Sequence, residues 1–587
     1  MFKTLISQIK QYRRAAILTP VWTAAEVIMG ILVPYITASL IDEGIIAGSL
    51  PDVYRYGAIM LAMAFLSLIF GILGGEFSAR ASTGLAANLR EAMYENIQRF
   101  SFSDIDKFST ASLVTRMTTD VSNIQSAFQM LLRTSFRAPL NMVSALVMCW
   151  FIHPRLSLIF LVAMVILSTC LILLIRRAAK LFQEIFVRYD ELNAVVEENV
   201  DAIRVVKAYA RENHEISKFD RATLALFSLN VKAESLMALN HPLMNIVVNG
   251  SIIALSWFGA RYIVAGELTT GELTSLFSYI MTILGALMML SMIFVQLTQS
   301  MASGRRIAAV IDEVPDMSSP EEPITSLKDG SIEFDHVYFS YKKGGDYALE
   351  DISFRIAPGE SIGIIGGTGS GKSSIGALVA RLYDVCRGSV KVGGEDVRSY
   401  DLAALRDQVS VVLQKSTLFS GTILENLRWG REDATFEECA AACRQACADD
   451  FISSFPDGYN TVVGQGGSTV SGGQRQRICL ARTLLKSPKV LILDDATSAV
   501  DTATEAAIRG AMSSKSPGMT RIIISQRIQA IMDSDRIIVM EDGKVDGIGT
   551  HAELLAGNAI YRELYEMQTS GDSGDFDQNT NSTQRHP

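Results

Sequence analysis

Four stretches of this chain run for at least 20 residues without an acidic or basic side chain: 56–75, 156–175, 235–260 and 273–304. An α-helix rises about 1.5 Å per residue, so roughly 20 residues cross the hydrocarbon core of a bilayer. Two further stretches are only lightly interrupted. Residues 16–41 carry Glu26 alone, and residues 126–152 carry Arg133 and Arg137 near one end. Six spanning helices are therefore predicted. Composition agrees: 49% of the 587 residues are hydrophobic and only 20% charged, against about a quarter charged in an ordinary soluble chain.

The cationic residues orient these spans. Lys3, Lys10, Arg13 and Arg14 precede the first span, and segments 80–125 and 176–233 are long and rich in Lys and Arg. The loop after the first span has its one basic residue, Arg55, at the edge of the next. The positive-inside rule then keeps the N-terminus and both long segments cytoplasmic, in a multi-pass protein of the cell membrane. No cleaved leader is expected, because the first apolar stretch continues as a full span. The stretch from Glu184 to Tyr209 has apolar residues at helical spacing, so the long segments are read as helices extending beyond the membrane, their tips suited to docking on another domain.

Near residue 305 the composition changes. A Pro- and acid-containing linker, 313–330, leads to a region, 331–567, where short Ile- and Val-rich runs alternate with helical patterns. That alternation predicts βαβ units around a largely parallel sheet. The expected fold is an α-helical six-span domain, residues 1–312, fused to an α/β nucleotide-binding domain, 331–567, with a disordered tail at 568–587. The net charge of −9 argues against nucleic acid as a partner, since binding phosphates needs a basic surface. Cys439, Cys443 and Cys447 recur every four residues, so they share a helix face. They are read as small core residues, with a three-thiolate metal site as the alternative.

The chemistry lies in the second half. Gly366, Gly367, Thr368, Gly369, Ser370, Gly371, Lys372 and Ser373 fit the GxxxxGK[ST] pattern, between a predicted strand at Ser361–Ile365 and an apolar helix, and Ser374 is counted with them as nucleotide-binding. Glycines let backbone N–H groups curl around phosphate oxygens, and the helix N-terminus adds a favourable dipole. Lys372 is placed to reach the outer phosphates of a nucleotide and the Ser373 hydroxyl to ligate Mg²⁺. The run Val490–Leu493 reads as a buried strand that delivers Asp494 and Asp495, with Asp494 as a second Mg²⁺ ligand. ATP and Mg²⁺ are the expected cofactors.

Val470-Ser471-Gly472-Gly473-Gln474 precedes that strand and resembles the signature of the ATP-binding-cassette (ABC) ATPases. With six spans ahead of it, the chain resembles a half-transporter of the ABC exporter family over residues 1–567. The resemblance implies several roles. Tyr341 stacks on adenine; Gln414 is the Q-loop residue that senses Mg²⁺ as a ligand; Ser498–Asp501 form the D-loop. Ser471, Gly472, Gly473 and Gln474 serve ATP held by a partner chain. Coupling helices are expected near Phe108–Ser112 and near Ala210–Glu215. The loop at Val463–Gly467 lacks the family's usual Glu-Arg.

Two further positions depart from the family. The catalytic base, normally Glu, is Asp495, and the switch residue, normally His, is Gln526. The carboxylate of Asp495 is one methylene short, and Gln526 offers hydrogen bonds but no positive charge. Together they imply a site that binds ATP but turns it over slowly. The intact signature implies a heterodimer with a second ABC half-transporter that carries Glu and His, as in heterodimeric bacterial multidrug exporters; a slow homodimer is the alternative. The implied cargo is small and amphiphilic, with lipid or peptide export as the alternative. Met281, Met288 and Met292 in the sixth span suit apolar ligands or helix and lipid packing. Glu26 suits a cationic ligand or a helix contact.

Overall fold

The structure is a computed structural model and describes residues 1–572 apart from 343, 516 and 517. The side chain of Met292 and residues 573–587, most of the expected tail, lie outside what it describes. By its contacts the chain forms two units: Met1–Gln98 with Ser109–Glu313, and Arg99–Phe108 with Val314–Pro587.

The first unit is helical. Among the described residues, six helices are long and apolar enough to cross a membrane: Lys10–Ile46, Leu50–Arg99, Thr110–Ile152, Pro154–Asp201, Glu212–Val264 and Thr270–Leu290. Most extend well beyond the roughly 20 residues a bilayer needs, because the polar segments of the sequence continue the same helices. Polar contacts fix how they pack. Asp42, near the end of the first spanning helix, accepts hydrogen bonds from Thr269 Oγ1 at 2.6 Å and Gly271 N–H at 2.9 Å, capping the start of the last span. Only glycine fits at 271, where a Cβ would lie 2.3 Å from the carbonyl oxygen of Ala38. The helix of the last span continues to Ile311, and near that end the Arg306 guanidinium grips the buried Asp120 through two bonds of 2.7 and 2.5 Å, and Ser303 donates to the same carboxylate at 2.8 Å. Asp120 closes a π-helical turn at Arg116–Asp120, a local widening of the kind often found at functional positions.

The second unit is α/β. Its strands are β1 Ile332–Phe339, β2 Leu349–Ile356, β3 Ser361–Gly366, β4 Arg387–Val392, β5 Glu395–Asp396, β6 Val409–Val412, β7 Gly421–Thr422, β8 Val462–Val463, β9 Val490–Asp494, β10 Thr520–Ile524, β11 Arg536–Glu541 and β12 Lys544–Gly549. The central sheet has the order β12-β11-β3-β10-β9-β6. All its pairs are parallel except β11–β12. A smaller antiparallel sheet runs β2-β1-β4-β5. Strands β3 and β9 are buried along their whole length, which explains their unbroken apolar character. The linker lies along this unit: Ile324 bridges Tyr400, and Leu327 is buried. Cys439, Cys443 and Cys479 are core residues, and burial pushes the Cys443 thiol up to about 12, so it stays protonated.

Two expectations need correcting. The first expected coupling position, near Phe108–Ser112, is not one helix: a short helix, Phe102–Phe108, which by its contacts belongs to the second unit, ends there. Its Asp106 accepts a hydrogen bond from the Tyr383 hydroxyl at 2.8 Å, and Phe102 packs on the Tyr383 ring. The helix ends at Phe108 because Ser109, at φ +57°, turns the chain and caps the next helix through its side chain. The chain is also helical past residue 567: the last helix spans Ala559–Asp572, anchored by the fully buried Tyr561. At the second expected coupling position, helix Ile203–Ala208 is followed by Ala210 at φ +50° and then helix Glu212–Ala238.

Candidate functional site

The parallel strands β3, β10, β9 and β6 end on one edge of the central sheet, and the candidate residues cluster there, where α/β sheets bind ligands. Strand β3 runs into the glycine-rich loop, and helix Lys372–Val379 follows. Gly366, at φ +157°, tolerates no side chain, since a Cβ would sit 2.1 Å from the Met540 carbonyl oxygen. Gly371 caps the helix at φ +91°, where a Cβ would lie 2.7 Å from the Ala348 carbonyl oxygen. The loop thus follows a tight curve that only glycine allows at 366 and 371, the kind of backbone that can cradle phosphate oxygens. Thr368 and Gly369 form its rim; Ser370 is buried within it.

Lys372 is buried, and its ammonium donates to the carbonyl oxygens of Gly366 at 2.9 Å and Gly367 at 2.6 Å and to Ser370 Oγ at 3.3 Å. Burial holds its pKa below the usual lysine range, against the pull of Asp495 and Asp494. A buried cation folded onto its own glycine-rich loop is placed to meet the anionic oxygens of a ligand that enters the loop. The Ser373 hydroxyl donates to Asp494 Oδ1 at 3.0 Å. Burial raises the Asp494 carboxyl, and the charge of Asp495 adds to this, while the Ser373 bond opposes it. A hydroxyl and a carboxylate held together beside a phosphate loop are a donor set suited to a hard divalent cation such as Mg²⁺. Gln414 lies exposed two residues beyond β6, which pairs with β9 up to Val412–Leu493; this register places it beside the end of β9. The Tyr341 hydroxyl shares a hydrogen bond of 2.8 Å with Ser374 Oγ, and its half-exposed ring packs edge-on against Phe339 and Tyr383.

Asp495 sits at φ +45° just past β9. Its backbone N–H donates to the Ile524 carbonyl at 2.9 Å, and its Oδ1 accepts from the Gln526 N–H at 3.4 Å. The two positions that depart from the usual pattern are thus adjacent in space. Arg527, the next residue, donates to the Ser498 carbonyl at 3.1 Å.

Ser471 and Gln474 form a capping box on helix Gly472–Leu484. The Gln474 N–H donates to Ser471 Oγ at 3.3 Å, and the Ser471 N–H donates to Gln474 Oε1 at 2.9 Å. This local role was readable from the S-x-x-Q spacing alone. Ser471 and Gly472 are exposed at the helix start, and among the described residues no hydrogen bond joins Ser471–Gln474 to the 366–373 loop. Gly473 must be glycine, because a Cβ would lie 2.7 Å from the Ala499 carbonyl oxygen. Gln476 escaped the sequence reading. It donates to Ser498 Oγ at 3.1 Å and accepts from the Ala499 N–H at 3.0 Å, tying this helix to the 498–501 stretch.

In the first unit, Glu26 is 11% exposed and paired with Arg137 at 3.2 Å. Arg133 reaches toward the Gly71 carbonyl at 3.4 Å. Met281 and Met288 are exposed on the last span, at 55% and 36%.

Comparison with known proteins agrees on both units. Residues 17–287 match the model of the ABC transporter transmembrane region, and residues 349–498 match that of the ABC transporter. An uncharacterized ABC transporter ATP-binding protein of Bacillus subtilis, YfiB, is 35% identical over 96% of this chain and 98% of its own length. An uncharacterized ABC transporter ATP-binding protein of Mycobacterium tuberculosis, Rv1273c, is 34% identical over 97% of this chain and 98% of its own. A solved structure of a bacterial Atm1-family ABC exporter with ATP bound superposes with a TM-score of 0.79 at 25% identity, covering 95% of this chain and 98% of that one.

Proposed function

This chain belongs to the ABC transporter family, with a membrane domain fused to its ATPase domain, and we propose that it is the degenerate-site half of a heterodimeric exporter of hydrophobic or amphiphilic compounds. The observation that carries the reading is the pairing of Asp495 with the Gln526 backbone at the end of β9. A shortened carboxylate at the base position stands about 1 Å farther from an attacking water, and a misplacement of that size costs roughly 100-fold in rate. The Gln526 side chain can hydrogen-bond a γ-phosphate but cannot stabilise it as a cation.

The rest of the site is built to hold nucleotide. Lys372 neutralises the outer phosphates, Ser373, Asp494 and Gln414 hold Mg²⁺, and Tyr341 offers a face to adenine. Mg²⁺, when bound, neutralises charge on the β- and γ-phosphate oxygens. The exposed start of helix Gly472–Leu484 is free to serve a nucleotide on a second chain, where Glu and His at the positions of Asp495 and Gln526 would complete a hydrolytic site. The cell membrane is the proposed location. For cargo, the exposed methionines of the last span favour apolar contact, and Glu26, already matched by Arg137, is assigned to helix packing.

The test is asymmetry. The tagged chain is purified from its own cells' membranes together with its partner half-transporter, and substrate-stimulated ATPase activity is measured. Asp495→Asn leaves most of that activity, whereas Ser471→Arg abolishes it. Loss of activity in both variants would contradict the reading.

A further inference from the structure

The switch loop is gripped from outside the site. Gln568, on the helix Ala559–Asp572, donates from Nε2 to the Gln526 carbonyl at 2.8 Å and accepts at Oε1 from the Ile528 N–H at 2.9 Å. One planar amide thus pairs with the backbone of residues 526 and 528 as a neighbouring strand would. Only a side chain offering both a donor and an acceptor can do this; Glu offers acceptors alone and Lys donors alone. The platform beneath it is firm: Tyr561, Leu554 and Ile528 belong to one buried cluster, and the Tyr561 hydroxyl shares a 2.7 Å hydrogen bond with His551 Nδ1. On its other side the Gln526 N–H meets Asp495. The peptide groups that set the direction of the Gln526 side chain are therefore held on one side by the candidate base and on the other by the C-terminal helix.

We infer that Gln568 is a positioning residue for nucleotide retention: the C-terminal helix fixes Gln526 where it meets the outer phosphate, so that loosening this helix releases ATP from the chain's own site. The inference rests on the assignment of Gln526 to the switch position, and it supplies what a low-turnover site needs, a hold on nucleotide that does not depend on hydrolysis.

The full-length chain in lipid nanodiscs is loaded with Mg²⁺ and a fluorescent non-hydrolysable ATP analogue, mant-AMP-PNP, which is then chased with excess ATP. Gln568→Glu keeps the shape of the side chain and loses its donor; Gln568→Ala loses both bonds. Each is expected to speed dissociation by about three- to tenfold, the scale of one or two hydrogen bonds. Glu563→Ala, on the same helix, leaves it unchanged. In a Gln526→Ala background the Gln568 substitutions have no further effect. Without nucleotide, hydrogen exchange of the Ile528 amide quickens in Gln568→Ala, which loses the acceptor, and stays slow in Gln568→Glu, which keeps it; in Gln568→Ala this reports loss of the contact independently of binding. Faster exchange with unchanged dissociation overturns the inference, as does no change in either. Because the analogue is not cleaved, the outcome does not depend on how fast this site hydrolyses ATP; brisk ATP turnover by the native chain would instead contradict the degenerate-site reading.

Discussion

Asp495 Oδ1 accepts the Gln526 N–H at 3.4 Å, across 31 residues of chain. The parallel pairing of β9 with β10 brings them together: Asp494 lies opposite Ile524, so the residues just beyond each strand end face one another. The Asp495 carboxylate and the Gln526 backbone are therefore direct neighbours.

The glycine loop gives the first prediction. Gly366→Ala puts a methyl group 2.1 Å from the Met540 carbonyl oxygen, a clash with backbone that rotamer changes cannot relieve. The expected cost is on the order of 3 kcal/mol, read as a lowered unfolding temperature of the ATPase domain together with loss of nucleotide binding. Gly367→Ala, where a Cβ meets nothing within 4 Å, is expected to change stability far less.

Gln476 links the signature helix to the 498–501 stretch through two hydrogen bonds. Gln476→Ala removes both and is expected to lower the ATPase rate of the assembled transporter about tenfold, at about 0.5–1.5 kcal/mol per bond, while nucleotide binding to the isolated chain is kept. Steady-state kinetics beside equilibrium binding would show this split.

Glu26 and Arg137 form an ion pair between two spanning helices. Removing one member leaves a charge without its partner in a low-dielectric setting, at a cost of about 3–5 kcal/mol. Glu26→Gln should lower thermal stability in detergent markedly, and Glu26→Gln with Arg137→Gln should recover part of the loss. If Glu26→Gln kept full stability and abolished transport of cations alone, a ligand-binding role would replace the packing role.

Asp120 is held by Arg306 and Ser303 near the C-terminal end of helix Thr270–Ile311. Arg306→Ala should destabilise the membrane domain by about 3–5 kcal/mol by leaving the buried Asp120 carboxylate unpaired, whereas Asp120→Ala, which leaves the half-exposed Arg306, should cost less. The unfolding temperature of each variant in nanodiscs checks this.

Four of the six spans were legible because 20 consecutive residues without a charge make a poor water-facing surface and match the thickness of a bilayer, and the other two because only Glu26 or Arg133 and Arg137 interrupt a run of that length. The nucleotide loop was legible because Gly, Lys and Ser at fixed spacing serve one chemistry. What escaped depended on partners far away in sequence. Gln568 carries no motif, and the two backbone groups it pairs with lie 42 and 40 residues away. Asp120 and Arg306 are separated by 186 positions, and neither is unusual in its own neighbourhood. The end of helix Phe102–Phe108 was not legible because it depends on the positive φ of Ser109, a backbone state that composition does not announce.

The most direct test of the central claim is the ATPase rate of this chain purified alone in lipid, measured beside Asp495→Glu with Gln526→His and beside Lys372→Ala. A degenerate site predicts that the native chain is nearly inactive and that the double reversion raises turnover about 100-fold. Brisk hydrolysis by the native chain, lost in Lys372→Ala, would contradict it and make a homodimeric exporter the better account.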